Sequence, residues 1–305
     1  MWGVKSIPIK GIINGYYRTG TSIIWWILQQ SNPEVVILYE PHSVGLHNDF
    51  KNLKPDADTL NPLHGMPIYK PYFMIQKDIR EEFFRRAKPK SVYTKKEFQD
   101  AVETVEMFDR IDKREVIVQS NQLHLILHDF AEYFGCKYIH IIRDPAEVLY
   151  SHAESPSKVR QKIQQLLVTL SPSYMISKWV DWGARGKFEL KCAMQVARKL
   201  GWINGGDWLE KFLRMYVNYN YHVLENLDER RGCIVRFEDL VEYPKFFSRI
   251  FWKYLRLKVD PTHNKLNPRK AFQAPDRLKR AVEMRLMGDL RRKWDAILEV
   301  VCCEV

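Results

Sequence analysis

Residues 7–28 constrain the fold more than any other stretch. An apolar run at 7–13 leads into Asn14-Gly15-Tyr16-Tyr17-Arg18-Thr19-Gly20, which runs straight into Thr21-Ser22-Ile23-Ile24-Trp25-Trp26-Ile27-Leu28. A buried strand, a glycine-bracketed turn and a helix in direct succession aim backbone N–H groups and a helix N-terminus at one point, and that is an anion site. From Gly15 the spacing is G-x-x-x-x-G-T-S, the Walker A spacing with Thr21 where the lysine would stand. The loop suits a phosphate-like group but lacks the side chain that reaches the terminal phosphates of ATP or GTP. Arg18, inside the loop, supplies a cation instead.

Short apolar runs at 35–38, 115–118, 138–142 and 233–237 predict four further buried strands. Helices are expected at 20–30, 78–88, 95–108, 123–134, 146–152, 158–170, 176–200, 208–226, 245–255 and 277–300. Asp144 is the expected N-cap before Pro145, and Gly205-Gly206 a break. Alternating strands and helices predict an α/β fold: three P-loop-like layers, with a central, mainly parallel β-sheet carrying helices on both faces. No linker divides the chain, so 1–305 reads as one domain. Residues 43–114 and 153–230 read as insertions that shape or cover a pocket.

A formal net charge of +11 favours anionic partners. The basic residues are spread along the chain and form no nucleic-acid module, so no nucleic-acid partner is expected. The five cysteines, Cys136, Cys192, Cys233, Cys302 and Cys303, lack metal-site or disulfide-framework spacing, which fits thiols in a reducing compartment. No signal-peptide pattern follows Met1, and the longest apolar run, 23–28, is too short for a transmembrane segment; a cytoplasmic protein is expected.

The carboxyl ends of parallel strands are where open α/β sheets bind ligands. Tyr39-Glu40-Pro41-His42 follows the second predicted strand at that edge, which makes Glu40 a candidate general base and His42 its reserve. An ordinary surface carboxylate is the alternative for Glu40. Arg143 ends the fourth strand, and Ser151 lies two turns into the next helix; a charge and a hydroxyl there suit a second anion. His124 and His128, four apart on a predicted helix, are half a metal site at most, and read better as polar positions on an amphipathic helix, so no metal is expected. Phe237 suits either an adenine site or the core.

Four of these stretches together resemble the sulfotransferase family, which uses 3′-phosphoadenosine 5′-phosphosulfate (PAPS) as donor. They are residues 15–22; Leu38-Tyr39-Glu40-Pro41; residues 139–151, with Arg143 and Ser151 eight apart; and Val235-Arg236-Phe237-Glu238-Asp239-Leu240. The resemblance implies that Tyr17, Arg18, Thr19, Gly20, Thr21 and Ser22 hold the phosphosulfate, with Arg18 also catalytic at the leaving phosphate. It implies that Arg143 and Ser151 touch the 3′-phosphate, and that Arg269 and Lys270 assist them. It also implies Glu40 as base, as in bacterial and Golgi-type members. The Lys and His of cytosolic members fall at Gln119 and Asn121, and Ala271 replaces a glycine after Arg269-Lys270; these are departures. The implied reaction is metal-independent transfer of a sulfuryl group to a hydroxyl of a small molecule, glycan, lipid or peptide, leaving adenosine 3′,5′-bisphosphate. The alternatives are a P-loop kinase or other NTPase, and a non-catalytic nucleotide-binding protein on the same scaffold.

Overall fold

In the computed structural model, residues 9–50, 68–110, 115–155, 157–182, 188–260 and 273–301 are described. The five apolar runs form strands β1 (Ile9–Gly15), β2 (Val36–Tyr39), β3 (Val116–Ser120), β4 (Lys137–Ile142) and β5 (Gly232–Arg236). All pair in parallel, in the order β2-β3-β1-β4-β5. β2 and β3 are buried at every position, as strands covered on both faces must be. The fold is α/β, as the alternation predicts.

The helices are α1 (Thr21–Ser31), α2 (Val44–Phe50), α3 (Lys70–Phe73), α4 (Lys77–Arg86), α5 (Phe98–Glu106), α6 (Leu127–Tyr133), α7 (Pro145–Ser151) and α8 (Lys158–Leu170). They continue with α9 (Pro172–Trp182), α10 (Phe188–Lys199), α11 (Trp208–Glu225), α12 (Phe237–Glu242), α13 (Pro244–Leu255), α14 (Asp276–Glu283) and α15 (Gly288–Val300). Successive residues of β1 point to opposite faces. A Cβ on Gly11 would meet Leu255 of α13 at 2.4 Å, so α13 packs directly on the backbone of one face. On the other face Asn14 bonds His140, which bonds Asn220 of α11. No helix among the described residues is long and apolar enough to cross a membrane.

Four expected elements differ. The helix expected over 123–134 is confined to Leu127–Tyr133, because residues 123–126 form a buried turn instead, with the Ile126 amide bonded to the Leu123 carbonyl. Residues 176–200 contain two helices, α9 and α10. Residues 277–300 also divide in two, where Gly288 takes φ +57° and starts α15. Phe237 opens α12 rather than ending β5.

α1 carries the chain from β1 toward β2, whereas the connection after β4 leads the other way, to β5. The carboxyl ends of β1 and β4 therefore flank a topological switch point, where such sheets leave a crevice. Gly15 pairs with Ile141 there, which brings the 16–20 turn beside Arg143.

Candidate active site

The turn after β1 is built around two features. Thr19 is buried and bonds the Tyr16 carbonyl through both its amide (3.1 Å) and its Oγ1 (2.7 Å). Gly20 then takes φ +93°, and a Cβ there would lie 2.2 Å from the Phe237 ring, so only glycine fits. Ile23 and Ile24 donate to the Gly20 carbonyl, starting α1. The amides of Gly20, Thr21 and Ser22 have no acceptor among the described residues, as expected of a helix opening. Open amides at a helix start, with the helix dipole behind them, have the chemistry to meet an anion.

Arg143 draws the second motif to the first. Its Nη1 donates to the Arg18 carbonyl at 3.2 Å, its guanidinium lies 5.1 Å from the Phe237 ring centre, and its Nη2 stands 3.8 Å from Glu147. Phe237 thus packs against Gly20 and Arg143 at once. Asp144 caps α7 as the sequence predicts, accepting from Ala146 and Glu147, and the Asp144 amide donates to Glu238 at 3.0 Å. The Ser151 hydroxyl turns back on its own helix to the Val148 carbonyl at 3.0 Å. Glu147, almost fully buried, accepts from the amides of Gln273 and Ala274 and faces Lys279 at 3.3 Å, tying the C-terminal segment to α7. Arg269 and Lys270 lie outside the described residues.

Glu40 follows β2, its amide bonded to the Gln119 carbonyl at 2.8 Å, and has φ +45°. Arg18 has φ +72°. Among the described residues three non-glycine positions enter the left-handed region, and Arg18 and Glu40 are two of them. Such strain collects where a side chain must be aimed.

Two bridges join Glu40 to the first turn of α1. Asn121 Nδ2 donates to Glu40 Oε1, and Asn121 Oδ1 accepts from Thr21 Oγ1 at 3.1 Å and from Gln119 Nε2 at 3.0 Å. On the other side Tyr39 interacts with the Glu40 carboxylate and lies 2.7 Å from Ser22 Oγ. The Ser43 amide donates to the Glu40 carbonyl at 2.9 Å, and its side chain favours the ionised carboxylate. Burial, and then the Glu189 carboxylate on α10, push the Glu40 carboxyl up to about 7; the nearby Arg18 cation opposes this. Arg18 itself pairs with Glu154 at 3.2 Å.

The remaining expected residues turn inward. The Tyr17 hydroxyl donates to the Ser91 carbonyl at 2.8 Å and accepts from Gln122 at 3.2 Å. His42 is fully buried between Ser120 Oγ and the Ala101 carbonyl, each at 3.1 Å, and burial lowers it to about 3. It is a neutral structural imidazole rather than a reserve base. His124 and His128 do not share a helix: His124 precedes α6 and packs against Tyr16 and His140, while His128 lies on α6. Among the described residues no cluster of three or more His, Cys, Asp or Glu could hold a metal ion.

Sequence reading named Asn121 as a departure and Tyr39 within the Glu-Pro segment but gave neither a role, and it missed Glu154 and Glu189. Asn121 and Tyr39 flank Glu40 and the third strand end, so strand-end position was the available signal; nothing in the sequence relates residues 154 and 189 to residues 18 and 40.

No protein-family model matches the sequence. Among solved structures the chain is similar to a sulfotransferase domain from the curacin biosynthetic pathway, with TM-score 0.45 and 13% identity over 91% of this chain and 97% of that one. It is also similar to a sulfotransferase domain from the Synechococcus PCC 7002 olefin synthase, with TM-score 0.44 and 11% identity over 92% and 94% of the two chains. A sulfotransferase from Alicyclobacillus acidocaldarius gives TM-score 0.39 and 15% identity over 90% and 96%. In sequence, an uncharacterised protein of Archaeoglobus fulgidus is 31% identical over 281 residues, 86% of this chain and 88% of its own. At that identity and coverage, the chain belongs to the same protein family as this uncharacterised archaeal protein.

Proposed function

We propose that this protein is a PAPS-dependent sulfotransferase, acting as a single domain in the cytoplasm on a hydroxyl of a small molecule, glycan, lipid or peptide. The observation that carries the reading is the bridge from Glu40 through Asn121 to Thr21 in the first turn of α1, with Tyr39 beside Glu40 and bonded to Ser22. It puts a carboxylate with a pKa of about 7 beside a loop of open amides. A base of that strength suits proton removal near neutral pH.

The donor supplies an activated sulfuryl group. The amides of Gly20, Thr21 and Ser22 would hold its phosphosulfate, and Arg18 would neutralise charge on the phosphate oxygen as the S–O bond to it breaks. Glu40 would take the acceptor's hydroxyl proton as that oxygen bonds to sulfur. Arg143, close to the loop, would help with the 3′-phosphate, and Ser151 would join it after a hydroxyl rotation. Arg269 and Lys270, outside the described residues, would complete the 3′-phosphate contacts. Residues 43–114 and 153–230 would form the acceptor pocket; they already supply Glu154 and Glu189 to the surroundings of Arg18 and Glu40.

Calorimetric titration with adenosine 3′,5′-bisphosphate and with Mg-ATP tests the donor. The bisphosphate is expected to bind more tightly; equal or tighter binding of Mg-ATP would favour a P-loop kinase or other NTPase. Glu40→Gln is expected to keep bisphosphate binding and lose sulfuryl transfer by at least ~100-fold. Transfer that survives the substitution would move the base elsewhere, and bisphosphate binding without turnover of any acceptor would mark a non-catalytic nucleotide-binding protein.

A further inference from the structure

Helix α8 wears its apolar residues on the outside. Val159, Ile163, Leu166 and Leu170 are 70%, 54%, 58% and 47% exposed, and Tyr174 at the start of α9 is 50% exposed. At about 100° per residue the four α8 side chains fall within an arc of roughly 60°. Val168, diametrically opposite, is fully buried, and Gln161, Gln164 and Gln165 on its side are half-buried, with Gln164 Oε1 lacking a partner among the described residues. A helix serving only the fold would place aliphatic side chains inward and glutamines outward.

The charge around the row is one-sided. Exposed Lys158 and Lys162 flank it on one side and exposed Arg160 on the other. Between Glu154 and Asp181 the chain carries Lys158, Arg160, Lys162 and Lys178 and no acidic residue. A second copy of this helix would bring cations against cations. A surface that takes aliphatic side chains between rows of lysine and arginine must be apolar inside and anionic at its face. A bilayer with anionic headgroups has that chemistry, and basic amphipathic helices lie in its interface plane.

We propose that α8, with the start of α9, is a peripheral docking surface for an anionic membrane. Val159, Ile163, Leu166, Leu170 and Tyr174 enter the boundary between headgroups and acyl chains, and Lys158, Arg160 and Lys162 meet the headgroup phosphates. This binding needs no donor and no turnover, so it stands or falls apart from the proposed reaction.

Co-sedimentation of the full chain with vesicles tests it. Vesicles of phosphatidylglycerol and phosphatidylcholine are expected to carry down at least tenfold more protein than pure phosphatidylcholine, with the excess falling as salt is raised. Ile163→Glu/Leu166→Glu is expected to remove that excess while leaving the melting temperature unchanged, because both side chains are exposed. Lys158→Gln/Arg160→Gln/Lys162→Gln is expected to reduce it severalfold. Wild-type protein that ignores anionic vesicles overturns the proposal, as does an Ile163→Glu/Leu166→Glu variant that binds like wild type. A concentration-dependent dimer in sedimentation velocity, abolished by the same two substitutions, would assign the face to a second copy instead. A fall of several degrees in melting temperature would show the face to be packed in solution.

Discussion

At the scale of single residues, the site depends on how Glu40 is held. Burial and the Glu189 carboxylate raise it to about 7, while donors on both sides favour its ionised form. If Glu40 is the base, log(kcat/KM) should climb by about one unit per pH unit below 7 and level off above it. Asn121 bears on this directly. Replacing it with alanine removes a donor to the carboxylate, so the Glu40 pKa should rise and the acid limb of the profile should move to higher pH. The same change leaves Thr21 without its partner, and kcat should fall by roughly 10- to 100-fold. A pH–rate series on Asn121→Ala separates this positioning role from a purely structural one, which would lower activity without moving the limb. As a residue type Asn121 looks like the loss of a histidine base. In place, it is the link between the first turn of α1 and the Glu40 carboxylate.

At the scale of elements, one clamp joins three strand ends. Gly20 from the β1 turn, Arg143 just past β4 and Phe237 at the start of α12, just past β5, are packed together. The clamp leaves no room at residue 20, and the backbone there is left-handed. Gly20→Ala should therefore destabilise the protein by about 1–2 kcal/mol or more and abolish bisphosphate binding. Denaturant melts and calorimetry on the same variant check both outcomes. The glycine is legible in the sequence because the G-x-x-x-x-G spacing names it. Its close neighbour is not, since Phe237 lies far along the chain and comes into contact only when β5 joins the sheet beside β4.

At the scale of the whole molecule, buried titratable groups set the pH dependence of stability. Burial lowers His42 to about 3 and His140 to about 4 from 6.5, and lowers His124 well below 6.5. Burial raises Glu40 and Glu238 from 4.5 to about 7. Between pH 4.5 and 6.5 the unfolded chain holds protons on His42 and His140 that the folded chain lacks, and the folded chain holds about as many on Glu40 and Glu238, so these four nearly cancel. The lowered His124 then decides the sign: stability should fall as pH falls below 6.5, by at most about 1.4 kcal/mol per pH unit. Below pH 4.5 the glutamates become protonated in both states and their offset fades, so the loss of stability should steepen until His140, near 4, takes up its own proton. Unfolding free energies from denaturant melts between pH 4 and 8 check the change of slope.

The sequence alone determined the strands, their parallel class and the two strand–turn–helix motifs. These are local: apolar runs, glycine spacing and a capping Asp-Pro are written within a few residues of where they act. It also marked Arg18 and Glu40, which prove to be two of the three non-glycine residues with left-handed backbone among those described. Only the tertiary structure decided which polar side chains reach the loop. Asn121 meets Thr21 across 100 residues, Arg18 meets Glu154 across 136, and His42 is consumed by Ser120 and Ala101. Strand order controls those meetings, and strand order depends on how whole faces pack. Helix α8 carries the same lesson: its period predicts a helix, but only its seat in the fold reveals that the aliphatic row faces outward. The first turn of α1, read from the sequence as a phosphate cradle without its lysine, is in the folded protein one side of a hydrogen-bonded frame around Glu40.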